Sequence, residues 1–369
     1  IYVFNSLICN IKFGKYNRYE LQNELKNITV KLKVFIADFE IVKFENELLA
    51  EIAKFNNKFF PAPEFRYRIN RGQINEYKYA AEKEKEFLPI FLKLVKKYKI
   101  TIKQEKADNF LDKWYLRHVR NEIDFAAGLI NQIKNREIKK LVMVILSRTI
   151  RSCRATTHSD LATLKEPVAQ TYYCAKHGKI CKPLFSILNW WERYSIDTIE
   201  RLEIFNKLRT DTYQICLTGD ARTIDINKEV GILDPEFAKI LSKQKIQGIF
   251  SSPPYVGLID YHEQHAYAYD IFGFKRRDNL EIGPLSKGQG SEARLYYIDG
   301  IVEVLKNCQR FLAGDYNVFL VANDKYGIYP QIAEKAGMRI INQYKRPVLN
   351  RTERDKTAYS ESIFHLKEK

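Results

Sequence analysis

The sequence contains no long apolar run, no secretory leader, no disulfide-type cysteine pattern, no internal repeat and no low-complexity tract. A membrane-spanning helix needs roughly twenty apolar residues in succession, and no stretch approaches that length. The opening IYVFNSLIC is too short for a signal and lacks a charged region in front. Six cysteines in 369 residues fit a reducing compartment. These absences argue against membrane and secreted proteins, and they predict a cytoplasmic location.

Apolar and basic side chains are abundant. With 45% apolar and 13% aromatic residues, the chain can bury the core of one large or two ordinary domains. Lys and Arg number 61 against 45 Asp and Glu, and the net charge of +16 points to a polyanionic partner, most simply nucleic acid. The alternative is a lysine-rich solvated surface, on which clusters such as 93–99 and 275–277 are ordinary helix or loop faces.

The second half of the chain alternates strand and helix patterns. Strands are predicted at 213–220, 246–252, 317–324, 338–349 and 360–368, and helices at 235–245, 295–312 and 330–337. This alternation predicts an α/β fold with an open, largely parallel sheet and helices on both faces. Ligands in such folds bind outside the carboxyl ends of the strands.

The first half has a different pattern. Charged, helix-forming segments dominate residues 18–145, most clearly at 46–55, 77–98 and 121–133. Pro61 and Pro63 mark a connector between helices. A basic helical segment of this kind suits DNA recognition, and a structural cap is the alternative.

The tetrad Ser252-Pro253-Pro254-Tyr255 directly follows the apolar run 246–250. Neither proline can donate a ladder hydrogen bond, so the chain must leave the sheet at once in a stiff loop. Such a loop can hold an exocyclic amino group in one orientation, and Tyr255 offers a flat face for an extruded base. The alternative is a Pro-Pro turn with a half-buried tyrosine.

The tetrad resembles motif IV of the amino-methyltransferases that methylate cytosine N4 or adenine N6, whose consensus is (Asp/Asn/Ser)-Pro-Pro-(Tyr/Phe). A serine in first position resembles the cytosine-N4 subset more than the adenine-N6 subset. The strings at 251–274 and 147–167 also resemble the post-motif and middle regions of a group of large DNA modification methylases. The resemblance covers the chain from about residue 110 onward.

The resemblance implies a Rossmann-like methyltransferase sheet that uses S-adenosylmethionine and carries a large, mainly helical insertion. The implied domains are 1–17 as a remnant of the cofactor-binding half, 18–200 as the insertion and 201–369 as the catalytic domain. The implied reaction methylates cytosine N4 in duplex DNA by base flipping and direct displacement, with Ser252 to Tyr255 catalytic. Alternatives are an adenine-N6 or RNA methyltransferase, or a non-catalytic nucleic-acid-binding subunit.

Gly219 and Asp220 follow the predicted strand at 213–220 and should open on the same edge of the sheet as Ser252. They resemble motif III of S-adenosylmethionine enzymes, where an acidic side chain accepts from the adenine amino group. Ionised Asp is an acceptor, and the preceding glycine lets backbone approach a ligand closely. Gly219, Asp220 and Ser252 are therefore the predicted cofactor contacts. The alternative is an aspartate that caps a helix or closes a turn.

A glycine-rich cofactor loop of the FxGxG or GxGxxG type is absent from the 369 residues. The opening string 1–16 resembles the region just after that loop, where the family's ribose-binding carboxylate would fall near Val3. The expectation is that an upstream segment or a second polypeptide carries the loop. DNA and a restriction endonuclease are the other expected partners.

Cys174, His177 and Cys181 form a C-x2-H-x3-C pattern, and Cys153 and His158 lie upstream. Thiolate and imidazole ligands at this spacing are compatible with a tetrahedral structural zinc that takes one more ligand from the upstream pair. The alternative is a pair of buried cysteines with a surface histidine.

The segment after the tetrad, 261–269, interleaves two histidines, Glu263 and Gln264 with three tyrosines. We interpret it as a helix start whose polar residues, His262 to His265, orient the loop or contact the target strand. The amino-methyltransferase reaction does not demand a catalytic base. Methylation at carbon 5 would need a Pro-Cys loop, which is absent.

Overall fold

The computed structural model describes residues 2–37, 40–158, 166–348 and 359–369. The chain divides into two compact units. The sheet unit comprises Ile1–Asn10, Asp211–His265 and Lys275–Lys369, and the helical unit comprises Ile11–Thr210 and Ala266–Phe274. The sequence predicted domain boundaries after residues 17 and 200, and the structure has them after residues 10 and 210. Residues 266–274 also belong to the helical unit, which was not predicted.

The described residues form fifteen α-helices and six strands. The helices are α1 (Val3–Phe13), α2 (Arg18–Ala37), α3 (Glu40–Phe59), α4 (Glu64–Asn70), α5 (Glu76–Lys97), α6 (Phe110–Trp114), α7 (Arg117–Asn131), α8 (Arg136–Ser152), α9 (Leu188–Leu208), α10 (Ile226–Leu233), α11 (Pro235–Lys243), α12 (Tyr261–Gln264), α13 (Ala266–Phe272), α14 (Ser291–Gln309) and α15 (Tyr329–Lys335). The strands are β1 (Tyr172–Cys174), β2 (Lys179–Cys181), β3 (Ile246–Ser251), β4 (Leu312–Ala322), β5 (Met338–Val348) and β6 (Tyr359–Glu368). Among the described residues no helix is both long and apolar enough to cross a bilayer.

The helical unit is built on apolar stripes. In α3 the buried residues Ile41, Phe44, Leu48 and Ile52 recur every three or four positions, which places them on one helix face. Asparagine caps fix several helix starts: the Asn75 side chain, for example, accepts from the Lys78 N–H at the start of α5. The predicted helices at 46–55, 77–98 and 121–133 are confirmed, with shifted ends, as α3, α5 and α7.

Glu122 is a buried carboxyl group in α7, with a relative exposure of 1%. Its Oε2 accepts from Ser186 Oγ at 2.9 Å and from the Ile187 N–H at 2.7 Å, just before α9 begins. Burial raises the pKa of Glu122 to about 7. The interior of this unit is therefore apolar enough to hold a proton on a carboxyl group near neutral pH.

The larger sheet has the strand order β3-β4-β6-β5. β3 and β4 run parallel with Ser251 opposite Leu320, whereas β4–β6 and β5–β6 are antiparallel. The prediction of a largely parallel sheet is therefore wrong for the described strands. Ten residues separate β5 from β6, whereas a parallel connection needs about a dozen or more residues, usually with a helix.

The predicted strand at 213–220 is also wrong, because these residues belong to neither sheet of the described chain. A strand requires a neighbour that completes its ladder of N–H and C=O groups. Near the middle of the segment, the Cys216 carbonyl instead accepts from Ser6 Oγ at 3.4 Å. The other predicted strands and helices of the second half are confirmed, with shifted ends, as β3, β4, β5, β6, α11, α14 and α15.

Gly248 allows β3 to lie close to β4. A Cβ atom at this position would collide with the carbonyl oxygen of Asn317. The register also shifts between Ile246 and Gly248. The close approach of the two backbones therefore requires glycine at this position.

Candidate active site

The loop Ser252–Tyr255 leaves the sheet directly after β3. Because β3 and β4 are parallel, this loop and residues 323–326 after β4 emerge at the same, carboxyl edge. Ser252 is exposed, and Pro253, Pro254 and Tyr255 are half-buried. The structure therefore places the four predicted catalytic residues at the edge where open α/β sheets bind ligands.

Tyr255 is anchored through its hydroxyl group. The hydroxyl donates to Glu361 Oε1 at 2.6 Å, and this acceptor carboxylate on β6 is only 12% exposed. Arg346, which lies opposite Glu361 in the β5–β6 register, donates to the other carboxylate oxygen. This chain of bonds fixes the direction of the tyrosine ring.

A cleft opens beside Tyr255. Its walls come from the tetrad loop, from the turn after β4 and from two buried tyrosines, and its lining includes Tyr255, Asn323, Asp324, Tyr326, Tyr297 and Tyr329. Its volume of about 70 Å³ is well below the 300–1,000 Å³ of typical ligand pockets. The cleft is therefore too small to enclose a ligand of typical size.

The chain after Tyr255 is braced by the segment 283–289. The Gly257 N–H donates to the Gly283 carbonyl at 3.1 Å, and Gln289 Nε2 donates to the Gly257 carbonyl at 3.2 Å. Gly257 has a φ of +60°, and an added Cβ would collide with the Gly288 carbonyl. Asp260 Oδ1 accepts from both the N–H and the Oγ of Ser286 at 3.0 Å. These bonds hold the loop without help from a strand.

Asp220 forms an ion pair within its own turn. Arg222 Nη2 lies 2.7 Å from Asp220 Oδ2, Nε lies 2.9 Å from Oδ1, and the Arg222 N–H donates to Oδ1 at 3.0 Å. The hydrogen bonds from Arg222 hold the pKa of the Asp220 carboxyl below its usual range. Asp220 is thus ionised, and Arg222 donates to both of its oxygens.

The turn that carries Asp220 is fixed to α14. Asn307 is buried in that helix, and its Nδ2 donates to the carbonyls of Ala221 and Ile224 at 3.1 and 2.9 Å. An added Cβ at Gly219 would approach the Ile224 side chain. The predicted glycine–aspartate pair therefore lies on an ordered turn of the sheet unit.

His262 is buried in the sheet unit and hydrogen-bonds to its neighbours. It is 2% exposed, and its Nδ1 lies 2.5 Å from Oε1 of the buried Glu281. The Arg277 N–H donates to His262 Nε2 at 3.2 Å. Since Nε2 accepts, the imidazole carries its proton on Nδ1 and donates to Glu281. The predicted helix start is confirmed as α12, and His262 hydrogen-bonds inside the sheet unit. That polar residues of this segment orient the loop or contact the target strand stays a prediction.

The zinc candidates also lie together. One ligand atom each from His158, Cys174, His177 and Cys181 can be chosen so that all four atoms lie within 4.8 Å of one another. Of the two upstream residues the structure selects His158, whereas the buried Cys153 is not a member of the group.

Four residues at or near the site were not predicted from the sequence. Asn323 and Asp324 are polar residues at the end of the second parallel strand, and that position was a usable signal. Glu281 and Glu361 gave no such signal, because each acts through a partner far away in sequence. Glu361 reaches Tyr255 across β4, a contact that only the strand order reveals.

The sequence is similar to that of a characterised class of DNA-modifying enzymes. It is 45% identical over 370 aligned residues to the type II methyltransferase M.MjaII of Methanocaldococcus jannaschii, a match that covers 99% of this chain and 69% of that protein. The chain therefore belongs to the type II DNA methyltransferases of restriction–modification systems. No protein-family model matches it, and no solved structure matches it.

Proposed function

We propose that the protein transfers a methyl group from S-adenosylmethionine to the exocyclic N4 of cytosine in duplex DNA. When bound, S-adenosylmethionine supplies the methyl group as a sulfonium. The observation that carries the proposal is the placement of Ser252–Tyr255 at the carboxyl edge of β3, with Tyr255 anchored on Glu361 beside a cleft. A serine ahead of Pro-Pro favours cytosine N4 over adenine N6, through the resemblance already described.

The residues of the loop have distinct roles in this proposal. The lone pair of an aromatic amino group is delocalised into the ring, so the site must redirect it. Ser252 Oγ and the Pro253 carbonyl accept hydrogen bonds from the amino hydrogens, and Tyr255 stacks on the flipped base. The braced loop supplies positioning, which accounts for most of the acceleration in a direct displacement.

The cofactor contacts predicted from sequence fit only in part. Asp220 is ionised, as an acceptor for an adenine amino group must be, but its two oxygens are bonded to Arg222. Arg222 supplies three N–H donors to a carboxylate that can accept about four, so Asp220 can accept one further donor. Ser252 is exposed and accessible to a ligand.

Methylation by the complete gene product tests the proposal. Duplex DNA is incubated with S-adenosylmethionine and digested to nucleosides, and N4-methylcytosine is separated from N6-methyladenine. Ser252→Ala should lower transfer by about 10–100-fold, because it removes a hydrogen bond to the reacting group. Tyr255→Ala should lower it comparably through lost base stacking, worth about 1–3 kcal/mol.

Two control variants separate the proposed roles of Tyr255. Tyr255→Phe keeps the ring and removes only the bond to Glu361, so it should retain more transfer than Tyr255→Ala. Tyr344→Ala removes a half-exposed tyrosine of β5 and should leave transfer unchanged. Methyladenine as the product would contradict the cytosine assignment, and full transfer by both Ser252→Ala and Tyr255→Ala would move the active site elsewhere.

A second candidate is a DNA-binding subunit without catalysis of its own. The hydrogen bonds that Arg222 donates to both oxygens of Asp220 favour it, because they leave this carboxylate fewer acceptor positions for a cofactor. Calorimetric titration of the complete gene product with S-adenosylmethionine separates the candidates, because a methyltransferase should bind the cofactor and a subunit without catalysis should not. For the 369 residues by themselves we expect weak binding or none, and micromolar binding would show that a cofactor site is formed by these residues alone.

A further inference from the structure

We propose that the helical unit binds one structural zinc ion through His158, Cys174, His177 and Cys181. The ligand atoms lie within 4.8 Å of one another. With Zn–S near 2.3 Å and Zn–N near 2.0–2.1 Å, a tetrahedral zinc separates its ligand atoms by about 3.3–3.8 Å. Each pair of ligand atoms therefore has to close by about 1.5 Å at most to hold the ion.

The backbone around the cysteines already forms a ligand turn. Cys174 ends β1 and Cys181 ends β2, so the two thiols flank a single hairpin. The N–H groups of His177 and Gly178 both donate to the Cys174 carbonyl, at 3.1 and 2.7 Å. Gly178 has a φ of +63°, a conformation that glycine adopts without strain. This tight turn brings His177 back over the cysteines.

The hairpin is too small to be stable by itself. β1 and β2 contain three residues each, and a lone two-stranded hairpin is marginal in water. Helix side chains support it: Asn56 exchanges two hydrogen bonds of 2.9 Å with the Ile180 backbone, and Arg66 Nη2 donates to the Ala175 carbonyl at 2.5 Å. An ion that joins the two strands to His158 would complete this support.

The ring nitrogens of the two histidines are disposed as metal ligands require. His158 Nδ1 lies 2.9 Å from the Tyr172 hydroxyl, which leaves Nε2 for the ion. A ligating histidine ordinarily binds a polar partner through its other nitrogen. His177 Nδ1 lies 3.5 Å from Cys181 Sγ, about the edge length of a tetrahedron with one Zn–N and one Zn–S bond.

The donor set favours zinc over other ions. Two thiolates and two imidazoles in a closed set of four suit tetrahedral Zn²⁺, whereas magnesium and calcium prefer oxygen ligands. The four residues belong to the helical unit, and none belongs to the tetrad loop or its cleft. The ion would thus serve the fold of the helical unit and not the methyl transfer.

Metal content and stability test the site without an activity assay. Protein purified without added metal should contain about one equivalent of zinc by elemental analysis. Removal of the ion with a strong chelator should lower the melting temperature, and added zinc should restore it. Cobalt should replace zinc and give the visible absorption of a tetrahedral site with thiolate ligands. Folded protein that contains no metal and takes up neither zinc nor cobalt would overturn the proposal.

Matched variants test the ligand set. His158→Ala and Cys181→Ser alter partly exposed ligands and should abolish stoichiometric zinc while the protein still folds by circular dichroism. Cys153→Ser and Cys308→Ser change cysteines outside the group and should keep the full equivalent. Retention of zinc by His158→Ala together with its loss in Cys153→Ser would show that the wrong upstream residue was chosen, and would overturn this site.

Discussion

Helices α5 and α11 both carry apolar residues at helical spacing, yet their surroundings differ. α5 buries Ala80, Phe87, Phe91 and Leu94, whereas no residue of α11 is buried. The difference continues beyond α11, because Phe250 of β3 is 77% exposed. Periodicity in a sequence shows which face of an element is apolar. Whether that face is covered depends on elements that the local pattern does not reveal.

The first test of this contrast compares two phenylalanines. Phe91 is 1% exposed in the helical unit, so Phe91→Ala should lower the free energy of unfolding by about 3–5 kcal/mol. Phe250→Ala should lower it by less than about 1 kcal/mol, because little of the side chain leaves water on folding. Urea unfolding of both variants measures the difference. Equal losses would mean that Phe250 is covered in solution.

A second test concerns two carboxyl groups in opposite electrostatic settings. Burial raises the pKa of Glu122 to about 7, whereas the bond from Arg222 lowers that of Asp220. A raised carboxyl pKa means that the folded state keeps a proton which the unfolded state loses. Stability contributed by Glu122 is therefore full below its unfolded pKa and is lost as the pH rises to about 7.

Glu122→Gln should remove that loss, because the amide keeps an acceptor for Ser186 and Ile187. Relative to wild type, the variant should gain stability from about pH 4.5 to pH 7, by up to about 3 kcal/mol. Glu137→Gln, at an exposed position in α8, is the control. Chemical denaturation across this pH range measures the gain, and a difference independent of pH would contradict the assignment.

A third test asks whether the sheet unit is loosely packed throughout. Gly248→Ala should cost about 1–3 kcal/mol, because its methyl group meets the Asn317 carbonyl and β3 must shift. Gly314→Ala adds a methyl group with no atom within 4 Å and should be nearly neutral. Thermal unfolding measures both. No change in the melting temperature of Gly248→Ala would mean that β3 has room to shift away from β4.

The helices and the tetrad loop were predictable because their signals are local. Repeated apolar spacing predicted α5 and α14, and two prolines behind an apolar run predicted where β3 ends. The strand at 213–220 was predicted wrongly, since an apolar run does not reveal whether a neighbouring strand is there to pair with it. Sheet direction was mispredicted although a signal was present, because the ten residues between the predicted strands at 338–349 and 360–368 are too few for the usual parallel connection.

The candidate site follows the same division. Ser252 and Tyr255 were identified from a motif of four adjacent residues, whereas the contact of Glu361 with Tyr255 could be found only from the strand order. The choice between His158 and Cys153 as a zinc ligand stayed open in the sequence, because both precede Cys174 at plausible distances. Long-range partners of this kind are set by the fold and not by spacing.

The excursion of residues 266–274 into the helical unit limits how the molecule can be cut. Within that unit the Phe110 N–H donates to Asp270 Oδ2 at 3.1 Å, and the Arg154 guanidinium lies 5.7 Å from the ring centroid of Tyr267. A helical fragment ending at Thr210 would lack both partners and would uncover the surface that α13 occupies on α6 and α8. A helical fragment expressed as one contiguous stretch ending at Thr210 should thus be less soluble than the whole chain. The fragment to compare with it ends at Thr210 and carries residues 266–274 attached to that end by a flexible linker.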